Sequence, residues 1–263
     1  MPTKGDSEIA AFADALIACY PTLGELTGGS VVERDGLLMV AGPHRRALVA
    51  NTAIRIDPTL PPAAVFRTTR EHYARLRYEF DLITFAFRDR DIEDAASGNG
   101  WDVGIRLPCM VIRGRPATLP LPDGASIRWA DPERDHDIVG RIVAIGFGDE
   151  DDEREGLRAI FDNAAIIRSP GWPSVIASVE GTDAAVASWT ARSGVGIVGF
   201  VATLPEFRRR GLGALVTNEV TVAAFDAGAM LVGLQASPQG LPVYRRLGYE
   251  KIAESTIWKP PSA

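Results

Sequence analysis

The turn Arg208-Arg209-Arg210-Gly211-Leu212-Gly213-Ala214 constrains this chain more than any other stretch. An apolar run, Gly196–Ala202, precedes it, and Leu212, Leu215, Val216, Val220 and Ala223 follow on one helical face. The local order is therefore strand, turn, helix. Three cations at a helix start face the positive end of the macrodipole, which costs roughly 0.3–1 kcal/mol each. Two glycines in the first turn add backbone entropy loss without adding packing. A bound polyanion is the simplest reason to keep both. Glycines let a phosphate approach bare N–H groups, and a helix start leaves donors unpaired.

The apolar run Met230–Ala236 reads as a buried strand, so the helix after the turn is a crossover. Strand, crossover helix and strand imply a right-handed parallel pair. Around this unit the second half alternates regularly. A strand is expected at Ser126–Ala130, a helix from Asp131-Pro132 to about Gly146, and another helix near Glu153–Ile167. Strands follow at Ser174–Val179 and Ala184–Thr190; Pro242 suits a first helical turn, Gly248 a helix stop, and Tyr249–Trp258 a last strand.

The first half shows a blurred copy of this order. It has a helix near Glu8–Cys19, strands near Leu37–Ala41 and Leu48–Ile56, and a helix from Pro62 to Arg77. A strand at Asp81–Phe87, a short helix at Asp91–Ala96 and a strand at Val103–Arg113 complete it. Its loop Asp57-Pro58-Thr59-Leu60-Pro61-Pro62 has prolines where the second half has arginines and glycines. Proline deletes the N–H groups a phosphate needs. Between Arg113 and Ile127, three prolines and two glycines mark a linker, with the boundary near Pro120. Residues 1–118 and 125–263 are expected to form two domains, a size the 263-residue length allows.

The formal charge of −6 argues against a general nucleic-acid binder, whose phosphate affinity needs a basic field. No apolar run is read as approaching the ~20 residues that span a bilayer. The N-terminus carries acids rather than a basic-then-apolar leader, so a cytoplasmic chain is expected. The two cysteines, Cys19 and Cys109, are expected to be buried free thiols. His44, His72 and His136 are scattered without ligand spacing, and no metal is expected.

Two nucleotide motifs fail on specific residues. Gly211-Leu212-Gly213-Ala214 lacks the third glycine of a dinucleotide fingerprint, and no acid stands about 20 positions on to hold a ribose. A triphosphate loop needs Gly-Lys-Ser/Thr, which the chain does not contain. What fits is Arg-x-x-Gly-x-Gly at Arg208, Gly211 and Gly213, with Gly199–Phe207 before it and Pro242-Val243-Tyr244-Arg245-Arg246-Leu247-Gly248-Tyr249 after it. On these residues the second half, from about Ala125 to Trp258, resembles the GNAT superfamily of N-acyltransferases.

The resemblance implies an α/β fold of the α+β type. Tandem GNAT-like units are expected, each a mixed, mostly antiparallel sheet flanked by helices, the first a degenerate copy. It implies acetyl-CoA as co-substrate, held where two parallel strands splay apart. The backbone at Val201, Ala202 and Thr203 would pair with the pantetheine arm. Arg208, Arg209, Arg210, Gly211, Leu212, Gly213 and Ala214 would cradle the pyrophosphate. Tyr244 matches the tyrosine that gives a proton to the departing thiolate; its bland alternative is a ring packed under the sheet.

The general base is less defined, because Gly196–Val201 carries no carboxylate and Glu206 stands where the family's loop often has a structural glutamate. Water-relayed deprotonation is favoured. The acidic run Asp149–Glu153 borders the expected acceptor region and reads first as a solvated helix start, second as an attractor of cationic amines. Trp172, Trp189 and Trp258 read as core. The expected reaction is acetyl transfer to a primary amine, on a small molecule or on a peptide or protein, without nucleic acid or membrane. The alternative is a non-catalytic acyl-CoA-binding module. Oligomeric state, a homodimer included, is left open.

Overall fold

In the computed structural model, which describes residues 4–46, 49–169 and 171–261, the first half begins with two helices, α1 (Lys4–Ile17) and α2 (Cys19–Leu26). Strands β1 (Ser30–Arg34), β2 (Leu37–Ala41) and β3 (Thr52–Arg55) lead into α3 (Pro62–Leu76). Then come β4 (Asp81–Phe85), α4 (Arg90–Ala96) and the long β5 (Asp102–Ile112). The second half runs β6 (Ala125–Trp129), α5 (Pro132–Phe147), α6 (Asp151–Ala159), β7 (Ser174–Val179), β8 (Thr182–Arg192) and β9 (Val195–Thr203). It closes with α7 (Leu212–Asp226), β10 (Leu231–Gln235), α8 (Leu241–Arg246) and β11 (Glu250–Lys259).

All eleven strands join one mixed sheet in the order β1-β2-β3-β4-β11-β5-β10-β9-β8-β7-β6. Two parallel neighbours, β3–β4 and β9–β10, each have their crossover helix between them in the chain. At the centre the halves exchange strands. β5, from the first half, lies between β11 and β10, with Cys109 opposite Ala253 on one side and Gln235 on the other. β11, from the second half, lies between β4 and β5, with Ile257 opposite Ile83 and Ile105.

Local chemistry explains the elements that position the site. Asp131 caps α5 by accepting from the N–H groups of Glu133 and Arg134, and Pro132 fills the position where an N–H has no partner. Glu150 and Glu153 form a reciprocal capping box at the start of α6. That helix stops at Ala159, earlier than the expected Ile167, and a separate 3-10 turn at Ala164–Ile167 is capped by the Asn163 side chain.

Two elements of the first half were not expected: α2 and β1. Pro21 lies in the first turn of α2, where it removes no helical bond. Gly24 is required there, because a Cβ would stand 2.8 Å from Val31 and Val40. Leu48, the start of the expected strand Leu48–Ile56, lies outside the described residues, and the strand itself covers Thr52–Arg55. The expectation of no membrane-length apolar run is corrected at Gly5–Leu26, which passes by length and composition. Its apolar face, with Phe12, Leu16, Cys19 and Leu23, is buried in the core beneath β9.

Candidate active site

β9 and β10 pair for only three residues, Val195, Gly196 and Ile197 against Leu231, Val232 and Gly233. Beyond that point each strand keeps only its outer neighbour. β9 stays on β8 as far as Thr203, and β10 stays on β5 as far as Gln235. Val198–Thr203 therefore offers an open edge, where an extended ligand can add as a strand would. A bulge sharpens the parting. Ser188 faces Gly199 and Val186 faces Ala202, so Phe200 and Val201 share one opposing residue. Phe200 takes φ 52°, a backbone strain held by its ring against Phe161 and Trp172, at 5.1 and 5.2 Å between centroids.

The Arg/Gly turn follows on the same edge. Arg208 N–H donates to Pro205, and the next recorded backbone donor is Leu215, to Gly211. Among the described residues, the six amides from Arg209 to Ala214 have no protein acceptor. Gly211 caps α7 at φ 81°, which favours glycine. Gly213 has no such reason. A Cβ there would meet Thr203 Oγ1 at an ordinary 3.5 Å, so the space it leaves belongs to no other part of the protein. The three arginines are exposed and none pairs with a carboxylate among the described residues. Arg208 Nε donates to the Thr203 carbonyl at 3.2 Å, and Arg210 lies over the Phe207 ring.

Inside the parting lies a cavity of about 220 Å³. Val201 and Tyr244 both line it; Ala202, Thr203 and the turn continue outward along the edge. Tyr244 is buried on α8, and Gly240 leaves the room its ring needs, since a Cβ would stand 2.6 Å from Cε2. Burial pushes its phenol up to about 12, so it is a protonated donor across the neutral range. The roof was not read from the sequence. It comes from the first half, through Leu16, Cys19, Tyr20 and Leu23 of α1 and α2.

Comparison with known proteins agrees with this geometry. The family model described as FR47-like protein matches residues 177–259, which include β9, the turn, β10 and α8. A mycothiol acetyltransferase of Actinosynnema mirum is 29% identical over 94% of this chain and 82% of its own length. A GCN5-related N-acetyltransferase from Kribbella flavida superposes with a TM-score of 0.72, at 23% identity, over 94% of this chain and 95% of its own. The chain has the fold of the GCN5-related N-acetyltransferases. A tandem GNAT protein from the clavulanic acid biosynthesis pathway shares the fold over 89% of this chain and 80% of its own, with a TM-score of 0.58 at 15% identity.

Of the other residues singled out in the sequence, several lie apart from this cleft. Three acids of the run meet arginines of the first half: Arg46 contacts Glu150, Asp152 and Glu153, and Arg45 Nη2 lies 2.8 Å from Asp152. His44, Asp152 and Glu155 bring ligand atoms within 4.8 Å of one another, but Asp152 is already held by those two arginines. Cys19 and Cys109 are buried free thiols. Trp258 is core, whereas Trp172 lines the cavity. A larger cavity of about 820 Å³ lies in the first half, lined by Arg67, Arg70, Trp101 and Lys259, away from the parted strands.

The corresponding place in the first half is tied shut. β3 ends at Arg55, whose buried guanidinium lies 3.0 Å from Asp89 and 2.7 Å from Asp91 at the start of α4. Its Nη1 also donates to the Leu60 carbonyl in the loop before α3. Pro61 and Pro62 open that helix without N–H groups. Polar bonds of the chain itself occupy the gap that stays open between β9 and β10.

Proposed function

We propose that this GNAT-type enzyme moves the acetyl group of acetyl-CoA to a primary amine by direct attack, with Tyr244 as general acid. The observation that carries the reading is the run of six unpartnered amides at Arg209–Ala214, flanked by three unpaired arginines. Such a cradle suits a diphosphate, through backbone donors and charge-assisted bonds. The open edge at Val201–Thr203 suits the pantetheine arm, and leads from the cradle to Tyr244.

The acetyl thioester supplies an activated acyl carbon. The amine nitrogen bonds to that carbon while the carbon–sulfur bond breaks. The Tyr244 hydroxyl gives its proton to the leaving sulfur, and the proton lost by nitrogen returns to the phenolate through water. Burial suits Tyr244 to this task by keeping it protonated until needed. No carboxylate lines the cavity among the described residues, which favours the water relay. The first half is read as a degenerate copy, since its own gap is bridged by Arg55, and it serves by roofing the acceptor space. Domains 1–118 and 125–263, a cytoplasmic setting, and an acceptor that is neither nucleic acid nor membrane complete the proposal.

Calorimetry with acetyl-CoA, paired with CoA release across a panel of amines, tests it. Tyr244→Phe is expected to keep acetyl-CoA affinity and lower kcat by roughly 10²–10⁴. Unchanged kcat removes the acid role. Uptake without turnover on any amine leaves a binding module, and no uptake ends the reading altogether.

A further inference from the structure

The wall of the acceptor cavity has a chemistry of its own. Among the described residues that line it, none is ionised at neutral pH. Its titratable groups are Cys19, Tyr20 and Tyr244, and burial pushes all three up, the thiol and Tyr244 to about 12. Two outlying charges are felt at the roof: Arg192 at Cys19, its guanidinium donating to Thr22 Oγ1 at 2.7 Å, and Asp81 at Tyr20, its carboxylate already paired with Lys259 at 2.7 Å. Outside, Glu150, Asp152 and Glu153 are held by Arg45 and Arg46, and Asp151 pairs with Arg154. An alkylammonium entering this space would shed its water and find no counter-charge.

Three polar groups of the wall have no partner among the described residues: the Tyr20 and Tyr244 hydroxyls and the Trp172 indole N–H. Trp172 lines the cavity and is 6% exposed, and its indole N–H has no acceptor among the described residues. Its ring is fixed between Phe200 and Gly199, where even a Cβ would stand 2.8 Å from Cζ3. A buried donor of this kind is costly unless something accepts from it. The volume of about 220 Å³ holds a single ring beside the acyl end of the donor.

Resting on the acetyl-transfer reading above, we infer that the acceptor is a weakly basic arylamine, bound as the free base. A neutral pocket rejects ammonium ions, and β9 carries no base; an amine already neutral at pH 7 needs neither counter-charge nor base. Its nitrogen attacks the acyl carbon directly, and the proton it sheds afterwards comes from a strongly acidic adduct that water alone can deprotonate.

Three probes separate the possibilities: p-anisidine, 4-methoxybenzylamine and spermidine. The first two share the ring and the accepting oxygen and differ by one methylene, which makes the second strongly basic. At pH 7 the full-length enzyme with acetyl-CoA is expected to show kcat/KM at least tenfold higher for p-anisidine than for 4-methoxybenzylamine, with spermidine lowest. From pH 7 to 9 the p-anisidine rate stays flat, while the benzylamine rate climbs by about tenfold per pH unit as its free base accumulates. Val49→Glu places a carboxylate on the cavity wall at a half-buried site with φ 67°, where a β-branched residue is already strained. It should shift the ratio toward the benzylamine by tenfold or more. Spermidine or the benzylamine acetylated faster at pH 7, or a ratio unmoved by Val49→Glu, overturns the acceptor class while leaving acetyl transfer intact. Absence of acetyl-CoA uptake by calorimetry overturns both together.

Discussion

Gly213→Ala separates a glycine kept for folding from one kept for a ligand. The residue sits in the first turn of α7 with φ outside the left-handed region, and the added Cβ meets only Thr203 Oγ1, at 3.5 Å. Nothing in the protein opposes the methyl group. The substitution reduces the freedom of the unfolded chain and should stabilise by roughly 0.4–1 kcal/mol. For a chain of this size that is a rise in Tm of roughly 1–4 °C. If a phosphate docks on the unpaired amides of Arg209–Ala214, the same methyl group holds it off the backbone. Loss of one charge-assisted bond to phosphate costs about 1.5–3 kcal/mol, a roughly ten- to hundredfold weaker Kd for acetyl-CoA. Thermal melts and calorimetry on one preparation read both quantities. Gly211→Ala is the control, since φ 81° imposes a strain of roughly 1–2 kcal/mol and lowers Tm. A Gly213→Ala protein that melts higher and binds acetyl-CoA as tightly as before would refute the cradle.

Arg55→Leu should lower unfolding free energy by about 3–5 kcal/mol in urea melts, because it leaves the buried Asp89 with only the longer 3.8 Å contact to Arg88 and strands Asp91; a loss below 1 kcal/mol would show the triad to be dispensable. Burial pushes the Cys19 and Cys109 thiols up to about 12, so iodoacetamide labelling of the native protein should stay slow between pH 7 and 9, while climbing by about tenfold per pH unit without a plateau. Labelling of either cysteine within minutes at pH 8 would contradict that burial.

The second half was legible because its signals are local. Asp131-Pro132, the Arg/Gly turn, Pro242 and Gly248 each mark an element boundary through backbone chemistry, and the elements lie within a few residues of those marks. The helix at Glu153–Ile167 ran long because Asn163 starts a new turn with its side chain, a choice periodicity does not register. In the first half, α2 was hidden by Pro21 and Gly24, residues that usually break helices and here suit an early turn and a tight contact with Val31. The cradle and Tyr244 were readable as a motif in order. The roof over the cavity was not, because Leu16, Cys19, Tyr20 and Leu23 carry only an apolar pattern and reach Tyr244 through tertiary packing. The acidic run at Asp149–Glu153 looked free for lack of any local sign that Arg45 and Arg46 lie across from it.

β5 and β11 are each other's neighbours while belonging to opposite ends of the chain. Cutting at the proline-rich linker would strip β10 of its flank at Cys109–Ile112 and leave β11 without the Leu82–Phe85 strand. Each fragment would then display a raw hydrogen-bonding border, an invitation to clump or to borrow a strand from a sister fragment. A gene encoding only the cradle-bearing half would thus yield a polypeptide with every chemical group and no soluble home for its last strand.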